Sequence, residues 1–225
     1  MNKCFFVTGT DTNVGKTVVS CALLQAGTAN GYQTVGYKPI ASGSKQLTVG
    51  LRNEDAEFLI KNSSLKLYYH DVNPIVFAQE TSPHIASQLT GKRIDLQIID
   101  QGLDKLKKIA DWIIVEGAGG WYTPISSEET MADWVISQAF PVILTVGIKL
   151  GCINHAILTE QAIAHSGLLL IGWVANEINA PDQYQHNYLI SLKKRLSAPC
   201  LGVIPHLPDW HSYALLKFLN IENLL

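Results

Sequence analysis

Residues 5–17 read Phe5-Phe6-Val7-Thr8-Gly9-Thr10-Asp11-Thr12-Asn13-Val14-Gly15-Lys16-Thr17: an apolar run, a turn of small residues, then Gly-Lys-Thr opening a helical pattern. The chemistry this spacing can perform is phosphate binding. Glycines let backbone N–H groups wrap a polyphosphate, the helix start adds positive potential, Lys16 neutralises charge, and the Thr17 hydroxyl can ligate Mg²⁺. The chain is expected to bind or spend a nucleoside triphosphate through this P-loop. Five residues separate Gly9 from Gly15, against the four of the common pattern. A glycine turn kept for packing alone is the competing explanation.

Other residues could act with the loop. The run Trp112-Ile113-Ile114-Val115 ends in Glu116-Gly117-Ala118-Gly119-Gly120. An acid closing a buried strand beside a phosphate loop can hold Mg²⁺ directly or through water, and glycines behind it let backbone approach a ligand. Glu116 as the partner of a helix start is the alternative. Tyr37-Lys38-Pro39 places a lysine at a strand's carboxyl end, facing the same crevice or solvent, with Ser42 shortly after. Asp55, in Arg52-Asn53-Glu54-Asp55, reads equally as a metal ligand and as a helix cap. Asn176 follows Trp173-Val174-Ala175 and offers a donor and an acceptor together, which suits the edge of a base and also suits a turn. Ser42 has no neighbouring histidine and no Gly-x-Ser-x-Gly elbow, so no hydrolase triad is expected. His84, His155, His165 and His206 lack metal-ligand spacing.

Short apolar runs at Cys4–Thr8, Thr34–Lys38, Trp112–Val115, Val142–Val146, Leu169–Ala175 and Cys200–Ile204 read as buried strands that must position these groups. Between them Thr17–Ala29, Ile94–Ile109, Ile153–His165 and Gln183–Leu196 carry apolar residues at helical spacing, with Asn30-Gly31 stopping the first. The alternation predicts an α/β fold, a mostly parallel sheet with helices on both faces, and the phosphate loop after its first strand makes that fold P-loop NTPase-like. Ligands of such sheets sit at the carboxyl ends of the strands. Residues 41–88 are polar and broken at Asn73-Pro74 and Ser82-Pro83, so loops and short helices over the site are expected there.

The 225 residues, 47% hydrophobic, are expected to form a single domain over residues 1–225. A net charge of −2 leaves no general attraction for nucleic acid or anionic membrane, so any anion must be held locally. Lys193-Lys194-Arg195 fits the solvated end of a helix. Cys4, Cys21, Cys152 and Cys200 show no metal or disulfide spacing, and no segment resembles a signal peptide or a membrane span; a cytoplasmic protein with reduced thiols is expected.

Together these segments resemble the dethiobiotin synthetases. The matching blocks are Val7–Thr12 with Val14–Thr17, Gly36–Pro39 with Ser42-Gly43, Gly50–Asn53 with Asp55, and Thr81–His84, followed by Val115–Trp121, Gly151–His155 and Gly172–Asn176. They run in order over about residues 3–207. The resemblance implies ATP-dependent ring closure in biotin synthesis, in which an amine of 7,8-diaminononanoate takes up CO₂ as a carbamate. ATP phosphorylates the carbamate, and the second amine closes the cyclic urea. It implies Lys16 and Lys38 as catalytic, Mg²⁺ among Thr17, Asp55 and Glu116, and the carbamate at Lys38 and Ser42. Nucleotide contacts are implied at Asn13, Val14, Gly15, Lys16, Thr17 and Val18, at Asp55, and at Glu116, Gly117, Ala118 and Gly119. They continue at Asn176, Glu177, Pro205, His206 and Leu207, with Asn176 on adenine. Substrate contacts are implied at Thr12, Ser42, Gly151, Cys152, Asn154 and Tyr188, the last four belonging to the neighbouring subunit's site in a homodimer. Position 13 is Asn where that family carries Glu, and the chain from Pro208 onward matches poorly.

Two other classes share the P-loop. A partitioning ATPase of the ParA and MinD kind carries an extra lysine early in the loop, where this chain has Thr10 and Asp11, and needs a basic DNA face or a basic amphipathic tail. A small-molecule kinase closes an arginine-bearing lid over the transferred phosphate, and only Arg52, Arg93 and Arg195 are present.

Overall fold

A computed structural model describes residues 2–225. The chain starts with β1 (Lys3–Gly9), α1 (Lys16–Ala29), β2 (Thr34–Tyr37), β3 (Ile40–Ala41), β4 (Lys45–Leu47) and β5 (Gly50–Arg52). It continues through α2 (Glu54–Asn62), α3 (Tyr69–Val72), β6 (Ile75–Val76), α4 (Pro83–Thr90), α5 (Leu96–Lys107) and β7 (Trp112–Glu116). There follow α6 (Met131–Ser137), β8 (Val142–Gly147), α7 (Cys152–His165), β9 (Leu170–Asn176), α8 (Gln185–Arg195) and β10 (Cys200–Ile204), then three short 3₁₀ turns.

Six strands form one parallel sheet in the order β10-β9-β8-β1-β7-β2. Chain order reverses around β1, so the crevice beyond its carboxyl end is where such a sheet leaves room for a ligand. Side chains alternate across β1 with the two-residue period of a strand. Phe5 and Val7 pack on one face with α1, α2 and the C-terminal turns, whereas Phe6 packs on the other. There Phe6 lies 6.3 Å from Trp121, 6.5 Å from Trp134 and 6.4 Å from Phe140, ring centroid to ring centroid. Truncating such a buried aromatic costs about 3–5 kcal/mol. A third cluster, between β8, β9, α7 and α8, fixes the far edge.

The six principal strands and four longer helices follow the expected order with ends shifted by a residue or two. Five elements differ from expectation. Residues 41–88 hold, besides helices, two small sheets, β3 with β6 and β4 with β5, whose two- and three-residue strands are too short to leave an apolar run. Helix α6 was also not foreseen. A capping box between Thr130 and Asp133 starts it, and Met131, Ala132, Trp134 and Val135 form its buried side. The basic run Lys193-Lys194-Arg195 does end α8, as expected from the helix dipole. The four cysteines are unpaired, and among the described residues no helix is long and apolar enough to cross a membrane.

Candidate active site

The loop between β1 and α1 is built on two residues in the left-handed region, Asn13 at φ 58° and Gly15 at φ 88°. Asn tolerates this conformation better than most residues, which gives the position a local reason for carrying it. Gly15 is required for a second reason, since a β-carbon there would collide with the Asn176 amide. That amide donates to the Val14 carbonyl at 3.0 Å, locking the loop onto the end of β9. Its second N–H and its oxygen remain for another partner. Lys16, 7% exposed, folds back to donate to the Asp11 carbonyl at 3.2 Å. At the front of the loop Asp11 pairs with Lys149, which follows β8, at 3.0 Å. That contact, with the Thr12 N–H, holds the Asp11 carboxyl below the usual range.

Beneath the loop lies a knot of opposite charges. Lys38, directly after β2 and 4% exposed, donates to Glu116 Oε1 at 2.6 Å, Asp55 Oδ2 at 2.9 Å and the Gly117 carbonyl at 3.3 Å. Thr17 donates to the same Glu116 oxygen at 2.9 Å. Glu116 is fully buried, and its Oε2 has no partner. Burial alone would lower the Lys38 pKa, but the charges of Asp55 and Glu116 outweigh it, and the ammonium is held above the ordinary lysine range. Lys38 in turn holds the Asp55 carboxyl down. Lys16 goes the other way: burial first, then repulsion from Lys38, lowers it to about 8. Two neighbouring lysines thus differ, one fixed as a cation and one waiting for negative charge.

The sequence left Asp55 open between metal ligand and helix cap. Asn53 takes the cap, its side chain accepting from the Ala56 N–H at 3.3 Å, so Asp55 is free to face Lys38 while 41% of its side chain stays exposed. Glu116 caps no helix.

A cleft of about 960 Å³ opens over this knot. It brings together Thr12, Asn13, Gly15, Lys16, Thr17, Val18, Lys38, Ser42, Asp55, Glu116, Ala118 and Gly119. Val14 is buried under the loop, and Gly117 reaches the knot through its carbonyl alone. Asn176, Glu177, Pro205, His206 and Leu207 stand beside the cleft rather than in its wall, at the carboxyl ends of β9 and β10, where Ile204 pairs with Asn176. Gly151, Cys152, Asn154 and Tyr188 lie on α7, its start and α8, outside the cleft of this chain; Asn154 is exposed and Cys152 buried. Residues to which sequence reasoning gave no role in the site also line the cleft: Lys45, Arg52, Phe58, Thr81, Thr123, Trp210 and His211. Phe58 was within reach, three residues after Asp55 on the same helix. Trp210 was not, because it comes from the tail and meets Phe58, at 4.6 Å between centroids, only through the fold.

A phosphate-binding loop, two lysines and two carboxylates around one cleft can hold a polyphosphate and neutralise charge that moves between oxygens. Known proteins narrow this. The profile of an AAA domain family matches residues 3–213. ATP-dependent dethiobiotin synthetase BioD of Yersinia pestis bv. Antiqua (strain Angola) is 57% identical over 209 residues, 93% of this chain and 87% of that protein. ATP-dependent dethiobiotin synthetase BioD 1 of Escherichia coli (strain K12) is 56% identical over 225 residues, the full length of both. Among solved structures, the MinC:MinD cell division protein complex of Aquifex aeolicus aligns with a TM-score of 0.58 at 15% identity, over 97% of this chain and 87% of that one. That likeness establishes a P-loop fold and carries no function. Sequence identity over the full length decides the rest, and the chain belongs to the family of ATP-dependent dethiobiotin synthetases.

Proposed function

We propose that this chain, as one domain working in the cytoplasm, catalyses ATP-dependent closure of 7,8-diaminononanoate and CO₂ to dethiobiotin, ADP and phosphate. The observation that carries the reading is the knot of Lys16, Thr17, Lys38, Asp55 and Glu116 beneath a P-loop. An amine nitrogen attacks CO₂, forming a C–N bond and releasing a proton to solvent. A carbamate oxygen then attacks the γ-phosphorus, and the bond to the β-phosphate oxygen breaks as ADP leaves. Finally the second amine attacks the carbonyl carbon and expels phosphate, closing the urea.

No step needs a protein nucleophile. Lys38, kept cationic by Asp55 and Glu116, is unsuited to general-base work; its three N–H groups already have acceptors, so it would draw the carbamate oxygens by its charge and by exchanging one of these partners, with Ser42 in the same cleft. Lys16 becomes fully cationic as the triphosphate arrives, and its charge follows the transferring phosphoryl group. Asn176 has an N–H and an oxygen left to meet adenine, with Glu177 and Pro205–Leu207 around the nucleoside. The residues present fit Mg²⁺: the unpartnered Glu116 Oε2, the Thr17 hydroxyl and Asp55 are hard oxygen donors. Among the described residues no group of three His, Cys, Asp or Glu could enclose an ion alone, which suits an ion held partly by phosphates. When bound, Mg²⁺ would supply neutralisation of the β- and γ-phosphate charge.

Gly151, Cys152, Asn154 and Tyr188 are assigned to a partner's site. Leu150 and Leu158 nearby, 85% and 55% exposed, support a homodimer through this face. The test is ADP release measured with and without diamine and bicarbonate. Ring closure requires both, whereas a MinD-like switch would hydrolyse ATP with neither, and a kinase would need only the diamine.

A further inference from the structure

One hydroxyl joins the two ends of the Lys38–Asp55 ion pair through the protein. Tyr69, the first residue of α3, accepts from the backbone N–H of Asn53 at 2.7 Å and donates to Asn73 Oδ1 at 2.8 Å. Asn73, 2% exposed, passes the connection on: its Nδ2 donates to the Lys38 carbonyl at 2.7 Å and the Ile75 carbonyl at 3.1 Å. The Lys38 N–H donates to the Val72 carbonyl at 2.8 Å, so both sides of the Lys38 peptide are held by the α3 turn. At the other end Asn53 caps α2, the helix that carries Asp55 two residues later, and its Nδ2 donates to the Ser42 carbonyl at 3.3 Å. The Arg52 guanidinium lies 4.2 Å over the Tyr69 ring, which fixes the ring independently of its hydroxyl. Burial raises the Tyr69 phenol, so it keeps the proton it donates.

Tyr69 itself does not line the cleft. Its bonds run instead through Asn73 to the Lys38 carbonyl, to the cap of the Asp55 helix and, through that cap, to the Ser42 carbonyl. We propose that Tyr69 is a positioning residue, whose hydroxyl sets the separation between Lys38 and the Asp55 helix and with it the alignment of carbamate and phosphate across the cleft. Chemistry that rests on positioning and charge is sensitive to such spacing, because displacements of about 1 Å can cost as much as 10²-fold. The inference rests on the assignment of Lys38 and Asp55 to the reaction given above.

Tyr69→Phe keeps the ring and its contact with Arg52 and removes only the hydroxyl. The test is a double-mutant cycle with Asp55→Asn, reading kcat for dethiobiotin, Kd for a non-hydrolysable ATP analogue and the melting temperature of each variant. Tyr69→Phe alone is expected to lower kcat about 10-fold with nucleotide Kd within about twofold, since the P-loop is untouched. In the Asp55→Asn background the same change is expected to lower kcat less than about twofold, because the pair it aligns is already broken. Unchanged kcat in folded Tyr69→Phe, or equal losses in both backgrounds, would overturn the proposal; a purely structural tyrosine gives the latter together with a parallel drop in melting temperature. Full activity in Asp55→Asn alone would instead overturn the assignment of Asp55. Should Tyr69→Phe not fold, Asn73→Asp keeps the acceptor for the phenol, drops the donors to the Lys38 and Ile75 carbonyls, and is read in the same cycle with the same expected and overturning results.

Discussion

The two walls of the cleft are made differently. One wall is strand, loop and helix: β1, the loop to Gly15 and α1, locked by backbone conformation and by Asn176. The other, from Lys38 to α4, consists of short elements joined by side-chain-to-backbone bonds. Asn53, Tyr69 and Asn73 hold the Lys38 turn and α2, and the Ser63 and Ser64 hydroxyls accept from the Gly36 and Thr34 N–H groups of β2 at 2.9 and 2.7 Å. A wall of the first kind presents fixed N–H groups to a polyphosphate whose charge is the same for every nucleoside triphosphate. The second kind can be respecified one bond at a time, which suits the side to which the proposed reaction gives the organic substrate.

The comparison breaks first at the lysines. Lys16→Ala is expected to leave a folded protein with ring closure down about 10²–10³, the effect of losing one preorganised electrostatic contact; near-normal turnover would remove the loop from the chemistry. Lys38→Gln should separate the walls, slowing kcat by more than it weakens binding of a non-hydrolysable ATP analogue. Equal losses, by kinetics and calorimetry, would make Lys38 part of the nucleotide wall.

A third expectation concerns pH. Without nucleotide Lys16 sits near 8, and it must be protonated to hold phosphate. Below pH 8 it is already charged and affinity is flat; above pH 8 binding must take up a proton. The Kd for the ATP analogue is therefore expected to rise by up to about tenfold per pH unit above 8. Calorimetry in buffers of different ionisation enthalpy measures the proton uptake directly, and none at pH 9 would contradict the account. The smallest effect is at Asn13. Glu in a left-handed conformation costs about 1–2 kcal/mol, so Asn13→Glu should lower thermal stability slightly and shift substrate KM or metal optimum while ATP affinity survives. A collapse of that affinity would mean the loop depends on the Asn side chain.

The nucleotide wall was legible in the sequence because strand, loop and helix each leave a local signal: an apolar run at Phe5–Val7, glycines, and Gly-Lys-Thr before helical spacing. The strand carrying Glu116 was legible for the same reason. The facing wall was less so, since β3–β6 and β4–β5 are shorter than any periodicity can register. The role of Asp55 depended on which neighbour capped α2, a contest that Asn53 wins because its extended backbone lets its side chain accept from the Ala56 N–H. Trp210 and His211 reach the cleft mouth because β10 delivers the tail over Phe58, a long-range event with no local trace.

The central claim is that a carbamate oxygen attacks ATP in this cleft. The direct measurement is the fate of ¹⁸O from labelled bicarbonate in a brief incubation of enzyme, diamine and ATP. The account predicts that label appears in the released phosphate, in proportion to dethiobiotin formed and lost together with it in Lys38→Gln. Phosphate free of label while ADP is released would show that water, not the carbamate, receives the phosphoryl group, and would contradict the proposed reaction.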